Sequence, residues 1–133
     1  MINKIKNLIN SNNLDGYIVP KNDEFFTEYS KTNKLQVVAN FTGSDGFVLL
    51  LKKSNHLFVD GRYTLQAKKQ CGKKFIIHEI PYVWPKNILN NKSFNIGFDP
   101  KLFTNDTLRI YFNKSCKLIP INKDLFAKKI ETV

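Results

Sequence analysis

The longest unbroken apolar run in the chain, Phe47 to Leu51, is only strand length. A helix that spans a bilayer needs roughly 20 such residues, so no segment here meets that length. The run is partly β-branched and is followed by Lys52-Lys53-Ser54-Asn55. His56 to Val59 then alternates and carries an aromatic residue. Together the two runs read as a β-hairpin, closed by Asp60-Gly61. A hairpin cannot bury its apolar side chains alone, so the rest of the sequence must supply layers to cover it.

The flanking segments supply those layers. Ile2, Ile5, Leu8 and Ile9 recur at helical spacing, which predicts an amphipathic helix over residues 2–12. Asn12-Asn13 and Asp15-Gly16 end it in a turn. Tyr17-Ile18-Val19 is a short buried strand stopped by Pro20. Asn22-Asp23 can cap a helical segment that includes Phe25, Phe26 and Tyr29. Past the hairpin, residues 62–71 read as a helix with Tyr63, Leu65, Ala67 and Cys71 available for burial, stopped by Gly72. Phe75 to Ile80 is a strand. Residues 81–93, with Pro81, Pro85 and the single tryptophan Trp84, are a loop with room for a short helix. Phe94 to Phe98 is a strand closed by Asp99-Pro100. Thr104 caps a helix to residue 113, with Asp106 in its first turn. Leu118 to Ile121 is a last strand, and residues 123–131 leave the fold as an exit segment. Strands and helices thus alternate around one hairpin. The expected class is α/β: a mixed sheet with helices on both faces.

With 133 residues and 42% hydrophobic content, the chain can build one core and has no room for two. The net charge is +10, which invites a nucleic-acid reading. However, only Arg62 and Arg109 are arginines among 21 basic residues, and base readout and bidentate phosphate contacts favour arginine. Lys, Asn, Ile and Phe share AT-rich codons, so coding bias accounts for much of the lysine. The charge is uneven, with 8 basic and 6 acidic residues over 1–66 but 13 and 5 over 67–133. Lys68-Lys69, Lys73-Lys74 and Lys128-Lys129 are interleaved with apolar residues, as on a solvated face; a polyanion-binding surface is the competing reading. No apolar segment follows the N-terminal lysines, so no secretory signal is expected. Cys71 and Cys116 form no CxxC and read as two reduced thiols.

Few motifs carry chemistry. His56 and His78 sit in strands without metal-ligand spacing and read as satisfied structural residues. Gly43-Ser44-Asp45-Gly46 is a GxxG whose amides could cradle an anion. It also resembles the clamp loop of KH domains. It runs directly into a strand, however, and Asp45 would repel phosphate. The favoured reading is a tight turn that needs glycine torsions at Gly43 and Gly46. Asp60-Gly61-Arg62-Tyr63 differs, because it occupies a strand end before a helix, where loops of α/β folds border ligand sites. Arg62 offers a planar bidentate donor in a chain rich in lysine. Its partner is either an internal carboxylate or that of a ligand.

At this point the sequence resembles a known family. Phe41-Thr42-Gly43-Ser44-Asp45-Gly46 followed by Val59-Asp60-Gly61-Arg62-Tyr63-Thr64-Leu65-Gln66-Ala67 is similar to the N-terminal domain of Xaa-Pro aminopeptidases (aminopeptidase P), of the creatinase/prolidase family. Tyr17-Ile18-Val19-Pro20 with Asp23 and Glu28-Tyr29, Ile96-Gly97-Phe98-Asp99-Pro100, and Leu118-Ile119-Pro120-Ile121 with Asn122 and Leu125 match further family segments in order. Phe25 stands where long-form members often carry histidine, and Asp45 where they carry a small residue.

The resemblance implies a ribonuclease-H-like domain over 1–133. It implies a parent that removes the residue preceding proline, using two ions, usually manganese, held by a pita-bread catalytic domain that this chain lacks. No segment here matches that ligand set, so the chain alone is expected to be inactive and to hold neither metal nor cofactor. Dimerisation and shaping of the active-site mouth are the roles implied for this domain. Its partners would be the catalytic domain, a second copy and the parent's peptide substrates, in the cytoplasm, with no nucleic acid and no membrane. Asp60, Arg62 and Tyr63 are the leading substrate-side or interface candidates, followed by Phe41 and Trp84. Gly43, Gly46 and Gly61 are turn formers, and no residue is expected to be catalytic. The competing readings are a stand-alone protein-binding module of the same fold and a basic nucleic-acid-binding domain.

Overall fold

A computed structural model describes residues 1–20, 34–43, 45–89 and 93–122. Helix α1 (Ile2–Ser11) buries Ile5, Leu8 and Ile9 along one stripe. Its C-terminal carbonyl at Leu8 accepts both the backbone N–H and the Nδ2 of Asn12, the latter at 2.9 Å. Asn13, at φ 56°, turns the chain into β1 (Gly16–Pro20). Gly16 therefore opens the strand, and Pro20 still pairs in it, opposite Phe47. Helix α2 (Lys34–Ala39) buries Leu35, Val38 and Ala39, and the sequence reading does not contain it. The hairpin forms as expected from β2 (Phe47–Leu51) and β3 (Asn55–Asp60), with Phe47 opposite Phe58.

A single 3₁₀ turn, Gly61–Tyr63, leads into α3 (Thr64–Cys71). Then follow β4 (Ile76–Ile80), the short α4 (Pro85–Ile88), β5 (Asn95–Phe98), α5 (Asn105–Phe112) and β6 (Lys117–Pro120). Thr104 caps α5 as expected, its Oγ1 accepting the Thr107 N–H at 3.1 Å. The helix expected through Phe25, Phe26 and Tyr29 and the exit segment 123–131 lie outside the described residues.

The strands form one sheet in the order β4-β3-β2-β1-β5-β6. β3 pairs with β4, β1 with β5 and β5 with β6 in parallel, while β2 runs antiparallel to both its neighbours. Each parallel neighbour is reached by a crossover through a helix, as parallel pairing requires. Asp15 fastens the start of β1 to β5: its N–H donates to the Asn95 carbonyl at 2.7 Å, and its Oδ2 accepts the Asn95 N–H at 2.8 Å.

Side chains of period two send each strand's residues alternately to two cores. Val48 and Leu50 of β2, with Tyr17, Val19, Leu57 and Val59, meet α1, α2 and α3 on the first face. Phe47, Leu49 and Leu51, with Ile18, Phe58, Ile96 and Phe98, meet Leu108 and Phe112 of α5 on the second. The expected mixed sheet with helices on both faces is therefore what the chain forms. Cys71 belongs to the first core and Cys116 packs on the second, so the sheet stands between them and both are free thiols. Burial raises both thiols, Cys116 to about 11, which keeps them protonated at neutral pH.

The two histidines satisfy one another. His56 Nδ1 lies 2.9 Å from His78 Nε2, and His56 Nε2 lies 2.8 Å from Ser54 Oγ. Phe47, Phe58 and His78 stack as successive cross-strand neighbours at centroid distances of 4.8 Å. Burial lowers the pKa of His78 below its ordinary 6.5. The unfolded chain thus takes up this proton first as the pH falls. Stability is complete above the unfolded pKa and is lost as the pH drops through about 6.5 toward the lower folded value. The urea midpoint is expected to fall between about pH 7.5 and pH 5. His78→Phe should flatten that fall, and an unchanged pH slope in the variant would show that His78 does not cause it.

Candidate functional site

Five of the six strands point the same way, so their C-terminal ends gather at one end of the sheet, together with the start of β2. The registers fix the neighbours there: Pro20 faces Phe47, Asp60 faces Ile80, and Phe98 faces Pro120. The loops at this end are the Phe41–Gly46 segment, the Asp60–Tyr63 turn, the Pro81–Trp84 turn and Asp99-Pro100. In open α/β sheets ligands bind beyond the carboxyl ends of the strands, where such loops converge.

The Asp60–Tyr63 turn holds itself in shape. Asp60 Oδ1 accepts the Arg62 N–H at 2.9 Å and the Arg62 Nε–H at 3.1 Å. The backbone N–H and then the side chain of Arg62 hold the Asp60 carboxyl below its ordinary pKa. The Arg62 guanidinium lies 5.4 Å from the centroid of the Tyr63 ring, and its side chain is 74% exposed. Arg62 thus spends Nε on an internal carboxylate, and its side chain stays at the surface. Both partners sequence reasoning left open are compatible with this geometry: the internal one is present, and the outer face of the guanidinium can still meet another.

Tyr63 packs edge-on against Phe41 at 6.5 Å, and Phe41 is fully buried. Phe41 can therefore influence this surface only by supporting Tyr63. Thr42 ties the two motifs together. Its Oγ1 accepts from Gln66 Nε2 at 3.0 Å and from Gln70 Nε2 at 2.9 Å, while its N–H donates to Gln70 Oε1 at 3.0 Å. The segment from Phe41 and the segment from Asp60 are thus locked as one unit through α3. No spacing rule exposes this lock, because Thr42 and Gln70 are joined only when β2 and β3 fold back.

The Gly-rich loop joins α2 to β2, which rules out the helix-to-helix setting of a KH clamp. The Asp45 carboxylate accepts the Gly46 N–H at 2.8 Å and so occupies an amide that an anion cradle would use. Gly46 has φ 142°, and a Cβ there would lie 2.9 Å from the Phe58 carbonyl oxygen. At Gly43 a Cβ would sit 2.1 Å from the Phe41 ring. Both glycines therefore do the structural work of a tight approach. Gly61 opens the 3₁₀ turn beside the Glu79 carboxyl.

Trp84 lies on the second face, apart from the Arg62 turn. It stacks on Tyr111 at 5.7 Å and on Phe47 at 6.3 Å, and Phe47 stacks on Tyr111 at 4.1 Å. Asn87 Oδ1 accepts the Trp84 N–H at 2.8 Å and sets the start of α4. Burial, with a smaller contribution from the Asp45 charge, pushes the Tyr111 hydroxyl up to about 12. Among the described residues, no group of three or more His, Cys, Asp or Glu side chains could hold a metal ion, and no helix is long and apolar enough to cross a membrane.

The fold is that of an α/β domain with a mixed sheet whose ordered motifs are collected at one end. Comparison with known proteins gives it a family. Residues 1–126 match the creatinase/prolidase N-terminal domain model, and the chain belongs to that family. It is 32% identical over 123 residues to aminopeptidase P1 of Arabidopsis thaliana, covering 84% of this chain and 19% of that protein. It is 36% identical over 124 residues to aminopeptidase P1 of Lotus japonicus, covering 84% and 18%.

Among solved structures, the X-prolyl aminopeptidase of Caenorhabditis elegans, described as a cytosolic enzyme with a di-nuclear active site, superposes with a TM-score of 0.71 at 22% identity. That match covers 84% of this chain and 20% of the enzyme. The N-terminal domain of the cytoplasmic peptidase PepQ of Mycobacterium tuberculosis superposes at 0.68 and 21% identity, covering 90% of this chain and 91% of that one. These likenesses establish the fold. The chain spans about a fifth of the length of the full-length relatives it matches.

Because Gly46 combines a positive φ with backbone contact, Gly46→Ala should destabilise the domain by about 1–3 kcal/mol. The readout is the urea midpoint at constant m-value, and a midpoint within error of the original would refute the requirement.

Proposed function

We propose that this chain is the N-terminal, non-catalytic domain of a cytoplasmic Xaa-Pro aminopeptidase, where it takes part in dimerisation and shapes the mouth of the active site. The observation that carries this reading is the convergence of the family's ordered motifs on one end of the sheet. The curated relatives matched over most of this chain are aminopeptidases P, most of whose length lies outside the matched region.

The parent would cleave the bond between an N-terminal residue and proline. Two metal ions, manganese in the reading above, would supply an activated water and a polarised carbonyl in the catalytic domain. The described residues here lack a cluster that fits such ions, so no step of that chemistry runs through them. What they can do is bind and orient. The Arg62 side chain, steadied by Asp60 and Tyr63, presents charge toward a peptide carboxylate or a neighbouring subunit. Tyr63, held by Phe41, walls the entrance, and Trp84 offers an aromatic surface on the second face.

Two outcomes test this reading. The purified 133-residue chain should show no turnover of an Xaa-Pro peptide with or without manganese, and stoichiometric, contaminant-free turnover would sink the proposal. In the full-length enzyme, Arg62→Ala should lower kcat/KM by about ten-fold, roughly 1.4 kcal/mol. Arg109→Ala, which removes an exposed pair with Asp106 on α5, should leave it near the original value. Equal effects of the two substitutions would remove the case for Arg62.

A further inference from the structure

The helices that cover the first face of the sheet carry charge of one sign. Helices α1, α2 and α3 hold Lys4, Lys6, Lys34, Lys68 and Lys69 and no aspartate or glutamate. The turn after α3 adds Lys73 and Lys74, and the next carboxylate in sequence is Glu79, in β4. On the second face, by contrast, Arg109 of α5 is paired with Asp106. Coding bias accounts for lysine in place of arginine, but it does not clear carboxylates from one face. A solvated surface ordinarily interleaves both signs, and a single-sign field over a concavity concentrates ligands of the opposite sign. Such a concavity lies between these helices, a groove of about 1010 Å³. Lys69, Lys73 and Lys74, all exposed, line it together with Val37, Asn40 and Met1, and no acidic residue is among its described lining. Val37 is 48% exposed and Met1 38%, so the groove also offers aliphatic surface. Its frame is already fixed. The Cys71 carbonyl accepts the Lys74 and Phe75 N–H groups at 3.1 and 2.9 Å, and Asn55 Nδ2 donates to the Lys74 carbonyl at 3.3 Å.

We propose that this groove binds an extended acidic segment of a partner protein, with aliphatic residues set between its carboxylates. The lining selects that chemistry. Lysine is a compact charge on a flexible stem and suits single carboxylates. In an extended peptide alternate side chains point to opposite sides, so acidic residues can meet the lysines while aliphatic ones meet Val37 and Met1. The Asn40 carboxamide can both donate to and accept from the peptide main chain. Nucleic acid fits less well. Its recognition favours arginine and, in single strands, exposed aromatic platforms. No arginine lines the groove, and its aromatic residue, Phe75, is 5% exposed. A small isolated anion, for its part, would leave Val37 and Met1 uncovered.

The test is fluorescence anisotropy, with the 133-residue chain titrated into a short fluorescein-labelled peptide of alternating glutamate and leucine. Binding that weakens as salt is raised is expected. Lys73→Glu with Lys74→Glu should weaken it by about ten-fold or more. Lys101→Glu with Lys114→Glu makes the same change in net charge away from the groove lining and should leave the affinity within about two-fold. A peptide of alternating glutamate and serine should bind about ten-fold more weakly than the leucine peptide. Absence of binding, or equal loss in the two pairs of variants, overturns the groove. Equal binding of the serine peptide overturns the mixed acidic and aliphatic chemistry. Tighter binding of a labelled oligothymidylate that is lost in the same variants overturns the peptide in favour of nucleic acid. If the Lys73→Glu, Lys74→Glu variant does not fold, amide hydrogen exchange in the unsubstituted chain decides: slowing at residues 36–40 and 69–74 on adding the leucine peptide supports the groove, and unchanged exchange overturns it. None of these readouts uses peptidase activity, so the result is separate from that of the aminopeptidase reading.

Discussion

Strand β2 has no side that can be left in water. Phe47, Leu49 and Leu51 point to one face and Val48 and Leu50 to the other, and all five are buried. Covering a side chain of this size is worth roughly 1.5–3 kcal/mol, so both faces of the strand demand a layer. Helices α1, α2 and α3 provide one, and α5, with residues around α4, provides the other. The antiparallel direction of β2 is equally consequential. It lets β3 follow through a tight hairpin and puts β3 parallel to β1 across it. Every other strand then joins by a helical crossover in the same sense.

The candidate surface is a product of that directionality. Because β1, β3, β4, β5 and β6 all run one way, their following loops must meet, whatever the distance between them in sequence. The Thr42 bonds to Gln66 and Gln70 convert this proximity into a fixed relation between the two most distinctive motifs. Asp60 and Arg62 hold each other in a turn whose cation is still exposed. An exposed pair of this kind adds little to stability. Its arrangement is better understood as placing a charge at the end of the sheet.

Legibility in the sequence followed the physics of each element. The hairpin, α1, α3 and α5 were readable, because periodicity, caps and breakers are local. α2 was not, although Leu35, Val38 and Ala39 stand at helical spacing. Six residues are too few to be stable alone, and that helix exists because its apolar side is covered by the sheet. Phe41 and Trp84 were candidates by residue type. Folding buried the first and carried the second to the opposite face, into a stack with Tyr111 and Phe47. The histidines were each read as satisfied, but that they satisfy each other depends on the register of β3 with β4.

The sequence by itself determined the α/β class, the hairpin at the centre of the sheet, the glycine turn before β2 and the motifs that carry the family. Each is written in runs of neighbouring residues, where sterics and periodicity act directly. Only the tertiary structure decided which loops share an end of the sheet and that Thr42 locks onto α3. Those relations arise from strand order and direction. These minimise exposed apolar surface over the whole chain at once, and no local stretch of residues encodes that sum.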